Sequence, residues 1–422
     1  MKKLIKSLFA LLMVVALVLS VAACGNNGGD DEDGKGTFNE NGELKDANIK
    51  VGLICLHDES STYDKNFIYS MYRALNNLGI ESTNLELFTG IEEGIGCYQK
   101  ASELAATCNV VFADSFGHED YMIQAARENP NVNFCHATGT KAHTVNLNNY
   151  SNAFASIYEG RYLAGVAAGL KLNEMIKAGK CTAETAVMGY VGAFPYAEVV
   201  SGYTSFYLGA KSVCPSVTMK VRYTSSWYDF DAEKAACEAL ITRDKCVLIS
   251  QHADSYGAPE ACEAAGVPNV TYNGSTVSKC PNTYVVSSKI DWTPYFEYMI
   301  KQTVAGQKIA TDWTGTITTG SVKLNTIGKK APASGTQKKI DEVKAKLLDG
   351  SLKVFDCSTF TVNGVHLTEY LADVDDVVPL YTADTNVIKT DANGVTYFDE
   401  SSFRSAPYFD LRIDGITEIN EN

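Results

Sequence analysis

No Cys-x-x-Cys pair occurs among the 12 cysteines, which removes the short-spaced zinc and redox motifs. A Gly-x-Ser-x-Gly elbow, a Walker loop ending in Gly-Lys-Ser/Thr and a His-Glu-x-x-His pair are missing as well. The familiar signatures of serine hydrolases, nucleotide-hydrolysing enzymes and zinc peptidases therefore do not arise. His118-Glu119 has no second histidine at helical spacing, and Asp373, Asp375 and Asp376 have no EF-type loop around them and read as a solvated turn. No catalytic residue, metal or cofactor is expected. Positive charge is in short supply: 36 Lys and Arg face 50 Asp and Glu, a formal net charge of −14. A nucleic-acid partner is disfavoured, because its phosphates would be repelled, although a local patch leaves an anionic ligand open. Past the first two dozen residues no apolar run approaches the roughly 18 residues that a membrane span needs. No assembly helix is evident, so a monomer is the default.

What is present begins with a basic start (Lys2, Lys3, Lys6), an apolar run from Leu8 to Leu19 and the small-residue stretch Val21-Ala22-Ala23 before Cys24. This is the pattern of an export signal, and the cysteine after two alanines resembles a bacterial lipobox. Residues 1–23 are expected to be removed and Cys24 lipidated, which anchors the body to the outer face of the cell membrane without crossing it. Residues 24–47, rich in Gly, Asn, Asp and Glu, read as a flexible charged tether reaching roughly 25 Å. Removing Cys24 leaves an odd number of cysteines, and Cys55, Cys135, Cys246 and Cys357 sit in strand-like apolar runs where a small hydrophobe fits. Mostly buried free thiols are expected.

From Asn48 onward short β-rich runs alternate with amphipathic helices. Strands are expected at Ile49–Cys55, Val110–Ala113, Val132–His136, Ala186–Val191, Thr218–Thr224, Cys246–Ser250, Val270–Tyr272 and Tyr284–Val286. Helices are expected around Phe67–Leu78, Tyr121–Asn129, Ala153–Ala178, Glu198–Val213, Asp231–Thr242 and Pro259–Ala265. Alternation of this kind implies parallel sheets covered on both faces by helices, and its repetition implies two similar lobes. Ligands of such sheets bind beyond the carboxyl ends of the strands. The loops expected there hold His57-Asp58-Glu59, Ser115-Phe116-Gly117, Ala137-Thr138-Gly139, Ser225-Ser226-Trp227, Gln251-His252-Ala253-Asp254 and Asn273-Gly274-Ser275. From Lys353 the pattern changes: Asn363-Gly364 and Asn393-Gly394 are strong hairpin signals, so 353–422 reads as a small β appendage, decoration rather than site.

Several of these segments together resemble the basic membrane lipoprotein family of solute-binding proteins, which includes purine nucleoside receptors. They are Phe112–Gly117, Phe134–Gly139, Tyr158–Val166, Gly189–Ala193, Ser226–Asp229, Gln251–Ser255 and Asp291–Phe296. The resemblance, running from Lys50 to about Leu371, implies a type I periplasmic-binding-protein fold, with two Rossmann-like lobes and three hinge crossovers. Residues 48–148 plus 283–311 would make one lobe and 149–282 plus 312–352 the other. It also implies capture of a purine nucleoside or nucleobase for an ABC permease. Asp64-Lys65-Asn66-Phe67 resembles the Asp-Lys-Ser-Phe-Asn segment of nucleoside-binding members, which would make Phe67 a stacking ring and Asp64 a polar contact or a helix cap. Ile68 replaces the Asn that follows in that segment. Tyr272-Asn273-Gly274-Ser275 departs from the Gly-Val-Asp-x-Asp-Gln stretch associated with ribose hydroxyls, and Asp291-Trp292 instead resembles a branch of the family associated with free purine bases, so nucleoside and base are both kept.

A purine wants aromatic faces and a few fixed donors and acceptors at its edge. Phe67, Phe116, Trp227 and Trp292 are the candidate faces, with Asp64, Asp254 and Asn273 as polar contacts. Each has a plainer role: Phe67 fits its helix's apolar stripe, Trp227 and Trp292 fit a core or hinge, and Asp254 fits a helix N-cap. A ligand-sensing receptor for signalling, a nucleoside hydrolase and a binding protein for another small polar solute are the competing functions. A neighbouring permease gene, sustained release of free base and a ligand panel, respectively, separate them.

Overall fold

The computed structural model describes residues 37–38, 42, 44–45, 49–374 and 383–419. The expected signal segment, Cys24 as the expected lipidation site, Asp375 and Asp376 lie outside the described residues. Within the expected tether, β1 (Thr37–Phe38) and β2 (Leu44–Lys45) pair as a short antiparallel ladder, so part of it is ordered structure.

The body opens with β3 (Val51–Ile54), α1 (Thr62–Asn77), β4 (Leu85–Phe88), α2 (Ile95–Ala105), β5 (Val110–Ala113), α3 (Glu119–Glu128), β6 (Asn133–Ala137), the single turn α4 (Ala142–Val145) and β7 (Tyr150–Ala155). Then come α5 (Ile157–Lys177), β8 (Val187–Gly192), α6 (Ala197–Lys211), β9 (Thr218–Tyr223), α7 (Phe230–Thr242), β10 (Leu248–Gln251), α8 (Gly257–Ala265) and β11 (Asn269–Tyr272). Next are β12 (Tyr284–Ile290), α9 (Thr293–Val304), β13 (Asp312–Gly315), β14 (Val322–Leu324) and α10 (Thr336–Leu348). Beyond these lie only short strands: β15 (Leu371–Ala372), β16 (Thr385–Asn386), β17 (Ile388–Thr390), β18 (Thr396–Phe398) and β19 (Ile416–Glu418).

Two sheets carry the molecule. The first runs β13-β7-β6-β5-β3-β4, all parallel; the second runs β14-β12-β11-β10-β8-β9-β19, parallel except for β14. The chain passes between them through α5, through α9 and through the β13–β14 link. This is the two-lobed α/β architecture with three crossings that the resemblance implied. At the hinge, Asp291 ties the two sides together: its carboxylate meets Arg73 of α1 at 3.2 Å and Lys323 of β14 at 2.8 Å.

The strands at the boundaries sort differently from the expected division. β7 and β13 pair in the first sheet and β12 in the second, so residues 150–155 and 312–315 belong with lobe 1 and 284–290 with lobe 2. The long helix begins at Ile157, not Ala153, because Tyr150–Ala155 is a wholly buried strand; its alanines mimic helix composition. The hairpin signals hold, with Asn363 and Gly364 both at positive φ between the bridged Val362 and Val365 and β17 paired with β18. The tail is nevertheless no separate appendage: β19 adds to the second sheet beside β9, and Phe355, fully buried, packs against Tyr158 of α5 with centroids 5.3 Å apart.

The lobes rest on close helix packing. A Cβ on Gly165 of α5 would stand 2.0 Å from the Phe206 carbonyl oxygen, and one on Gly209 of α6 would stand 2.0 Å from that of Tyr162. The two backbones touch there, and glycine is what lets them. All eleven described cysteines are free and buried, filling core space as small hydrophobes. Among the described residues no helix is long and apolar enough to cross a membrane.

Candidate functional site

The carboxyl ends of both sheets face one cavity. Lobe 1 supplies its wall from three loops. After β3 come Leu56 and His57, with Tyr63 and Asp64 from the start of α1. After β5 come Ser115 and Phe116, and after β6 comes Thr138. Lobe 2 supplies Glu198, Trp227, His252, Asp254 and Tyr272. The lobes meet around it. Thr62 N donates to the Asp254 carbonyl at 3.0 Å, Phe116 stacks on Tyr196 with centroids 5.4 Å apart, and His57 faces Tyr228 at 5.2 Å.

Local chemistry sets each of these groups. Phe116 is presented by a tight turn in which Ser115 Oγ and Gly117 N both donate to Glu93 Oε1, at 2.6 and 2.7 Å. A side chain at Gly117 would collide with that glutamate, whose carboxyl carbon lies 2.6 Å from the Cβ position. Trp227 stands edge-on to Phe194 at 5.1 Å, and Phe194 stacks on Tyr196, giving an aromatic wall. Thr138, Ser225 and Asn273, in the loops after β6, β9 and β11, all hold positive φ without being glycine. For the β-branched Thr138 that is a strained backbone, of the kind that collects at binding sites.

Asp64 is occupied by its own helix start. Ser61 caps α1, and Asp64 accepts from Ser61 Oγ at 2.5 Å and from His57 N at 2.8 Å, in the manner of a capping box. Burial pushes its carboxyl up, but the hydrogen bonds from His57 and Ser61 prevail and hold it below the ordinary range. Asp114, beneath it, goes the other way: burial and then the charge of Asp64 drive it well up. Cys55, Asp64 and Asp114 are the one group of potential metal ligands among the described residues, within 4.8 Å of one another. Burial also raises the Cys55 thiol, so a cation would have to displace protons that burial favours on two of the three donors.

Asp254 is different. Its backbone N donates to the Trp227 carbonyl at 3.0 Å, and the following Ser255 N is held by the buried Glu233 at 3.1 Å, so the loop is fixed. It caps no helix, since Tyr256 precedes α8 without a side-chain cap. The residue is 5 % exposed and lines the cavity, and its carboxylate accepts no hydrogen bond from a described residue. Burial, then the charges of Asp64, Glu233 and Glu198, push it well above the ordinary range.

Of the residues expected from sequence, Asp64, Phe116, Trp227 and Asp254 come together at the cavity, and three do not. Phe67 is fully buried and stacks on Trp292 at 4.4 Å; with Phe112 and Phe296 these rings form the aromatic core behind the lobe 1 sheet. Asn273 lies just beyond the lining, its Nδ2 buried without a partner among the described residues. Sequence reasoning passed over Glu198, His252 and Arg161. Arg161, buried in α5, donates to Gln251 O at 3.0 Å, contacts His252 Nδ1 at 2.9 Å and lies 3.5 Å over the Tyr272 ring. His252 Nε2 in turn meets Glu198 at 3.3 Å. Burial and then the Arg161 charge push His252 down to about 4, so it is neutral and serves as a relay of position.

Residues 51–354 match the model of a family described as ABC transporter substrate-binding protein, PnrA-like. A purine-binding protein of Brucella abortus is 31% identical over 316 residues, covering 71% of this chain and 84% of the relative. A putative ABC transporter glucose-binding protein of Haloferax volcanii is 33% identical over 255 residues, 60% of each chain. In structure, an ABC transporter solute-binding protein from Aeropyrum pernix superposes with a TM-score of 0.61 at 15% identity, over 73% of this chain and 93% of the other.

Proposed function

We propose, from the premise that this chain belongs to the PnrA-like family of ABC transporter substrate-binding proteins, that its ligand is a purine nucleoside or purine base. The protein captures it outside the cell and delivers it to the permease of an importer. The observation that carries the ligand reading is Asp254: a buried carboxylate without a donor, in a cavity walled by Phe116 and Trp227. A planar heterocycle offers the rings a further flat face and the carboxylate what it lacks, ring N–H or amino donors. The name of the Brucella abortus relative supports the same ligand.

A sugar is the second reading, favoured by the name of the Haloferax volcanii relative, since carboxylates and aromatic faces also suit hydroxylated rings. A melting-temperature panel separates them. Ligand that binds only the folded state stabilises it by about 2.7 kcal/mol at a hundred times Kd. Micromolar adenine, hypoxanthine, adenosine or inosine is expected to raise Tm, with glucose and amino acids silent; a shift with glucose alone would sink the purine reading.

Anchoring is proposed through a diacylglycerol on Cys24, on the strength of Val21-Ala22-Ala23-Cys24. A Cys24→Ser variant is expected to leave the membrane fraction, and its retention there would rule the anchor out.

A further inference from the structure

Two helices of lobe 2 bring a pair of thiols together. Cys237 of α7 and Cys262 of α8 lie with their Sγ atoms 3.5 Å apart, both fully buried. Sulfurs at that separation are in van der Waals contact, so the side chains already point at one another. Cys237 Sγ also donates to the Ala258 carbonyl of α8 at 3.5 Å. The two helices are close at their N-terminal ends too, where a Cβ on Gly257 would stand 2.3 Å from the Phe230 carbonyl oxygen. Around the pair stand Leu240, Ala261, Val191 of β8 and Ile249 of β10. The structure holds both thiols in their reduced form.

The chain between these cysteines builds part of the lobe 2 wall of the ligand cavity. It contains β10 and, after it, His252 and Asp254. A bond from Cys237 to Cys262 would close this stretch into a loop of about two dozen residues, and the unfolded chain would lose the freedom that such a loop removes. It would also pin α7, whose Glu233 holds the Ser255 N–H, to α8.

We propose that Cys237 and Cys262 are a disulfide-forming pair, oxidised outside the cell by a low-molecular-weight disulfide and serving as a covalent staple across α7 and α8. The thiolate of one cysteine attacks a sulfur of the small disulfide, which makes a mixed disulfide and expels one small thiolate. The thiolate of the other cysteine attacks the protein sulfur of that mixed bond and expels the second. Two protein thiols are oxidised, one small disulfide is reduced to two thiols, and each expelled thiolate takes up a proton that a cysteine gave up. An extracytoplasmic chain works where disulfides persist, whereas a cytosolic one is kept reduced. Burial, then the contact with Cys237, pushes the Cys262 thiol well up. Exchange therefore belongs to the folding chain, or to local openings of α8, and not to the closed native state. The proposal goes beyond the ligand reading and does not depend on it.

The test is mass spectrometry of the full chain with oxidised glutathione, added to the folded protein and, separately, during refolding from denaturant. A mass loss of two hydrogens is expected, with a peptide pair joining Cys237 to Cys262 that separates in dithiothreitol. The cross-linked protein is expected to melt several degrees above the reduced one, and dithiothreitol should reverse the shift. Cys262→Ala should abolish both the cross-link and the shift. The peptide map of the parent needs no variant, so it decides the pairing even if that variant fails to fold. In neither sample a cross-link, glutathione left on either cysteine alone, or either one joined to Cys280 overturns the pairing. A Cys237–Cys262 bond that leaves Tm unchanged or lower overturns the staple.

Discussion

An Asp254→Asn variant is expected to bind its purine on the order of 100-fold more weakly than the parent, yet to unfold at the same temperature or higher. The two halves have one cause. A hydrogen bond to a buried charge contributes about 1.5–3 kcal/mol, and each 1.4 kcal/mol is about tenfold in affinity. In the ligand-free protein that stabilisation is missing: the carboxylate is buried without a donor, and Asp64, Glu233 and Glu198 repel it. Its folded pKa is raised, so its contribution to stability is complete below the unfolded value of 3.8 and is lost as pH rises through the folded one. At neutral pH it only costs, and the amide removes the cost. Ring donors favour the ionised form, so affinity should rise with pH through the raised pKa and then level off. Binding should also release a proton, seen as a dependence of the calorimetric heat on buffer ionisation enthalpy. The variant should show no such release, and unchanged affinity would remove Asp254 from the site.

How far this site is legible in the sequence differs from residue to residue. Strand–helix alternation placed the loops, and the unusual residues in them included Phe116, Trp227 and Asp254, all of which reach the cavity. Phe67 and Trp292 are aromatic and stand near strand ends too, but pattern does not tell a ring turned outward from one turned inward. Phe67 shares its stripe with Met71 and Leu75, both buried, and Trp292 begins α9 with its ring laid on Phe67. Arg161 was invisible for another reason: it acts on His252 from 91 positions away, and a buried arginine inside an apolar helix carries no local signal of its partner. The division of the lobes failed at β7, β12 and β13 because a strand's pattern records that it is buried, not which sheet buries it. The same limit hid the role of the tail. β19 is three residues long and pairs with β9, about two hundred positions earlier, so only the hairpins around Asn363 and Asn393 could be read.

The tail also gives the fold a pH dependence that runs against the usual expectation for a protein rich in carboxylates. Burial pushes Glu400 up to about 8, and Glu159 and Glu233 up to about 7, each from an ordinary 4.5. A raised carboxyl stabilises the fold fully below 4.5 and stops doing so as pH climbs through 7 to 8. His118 and His252, both pushed down to about 4 by burial, act oppositely: their contribution is present above 6.5 and lost as pH falls toward 4. From these five groups stability should therefore peak at about pH 4.5, where three carboxyls begin to lose against two histidines, decline to about pH 8 and then level off. Glu400 has the largest shift of the three carboxyls and sits in the extension, a few residues before the buried loop 404–409. Glu400→Gln, which keeps the shape without the charge, should flatten the alkaline limb, raising Tm at pH 8.5 by several degrees and leaving it nearly unchanged at pH 5. Scanning calorimetry across that range checks it. Parallel profiles for parent and variant would show that Glu400 does not titrate with unfolding. A flattened limb, joined to slower amide exchange in residues 404–409 of the variant at pH 8.5, would show that the seating of this buried loop depends on a proton.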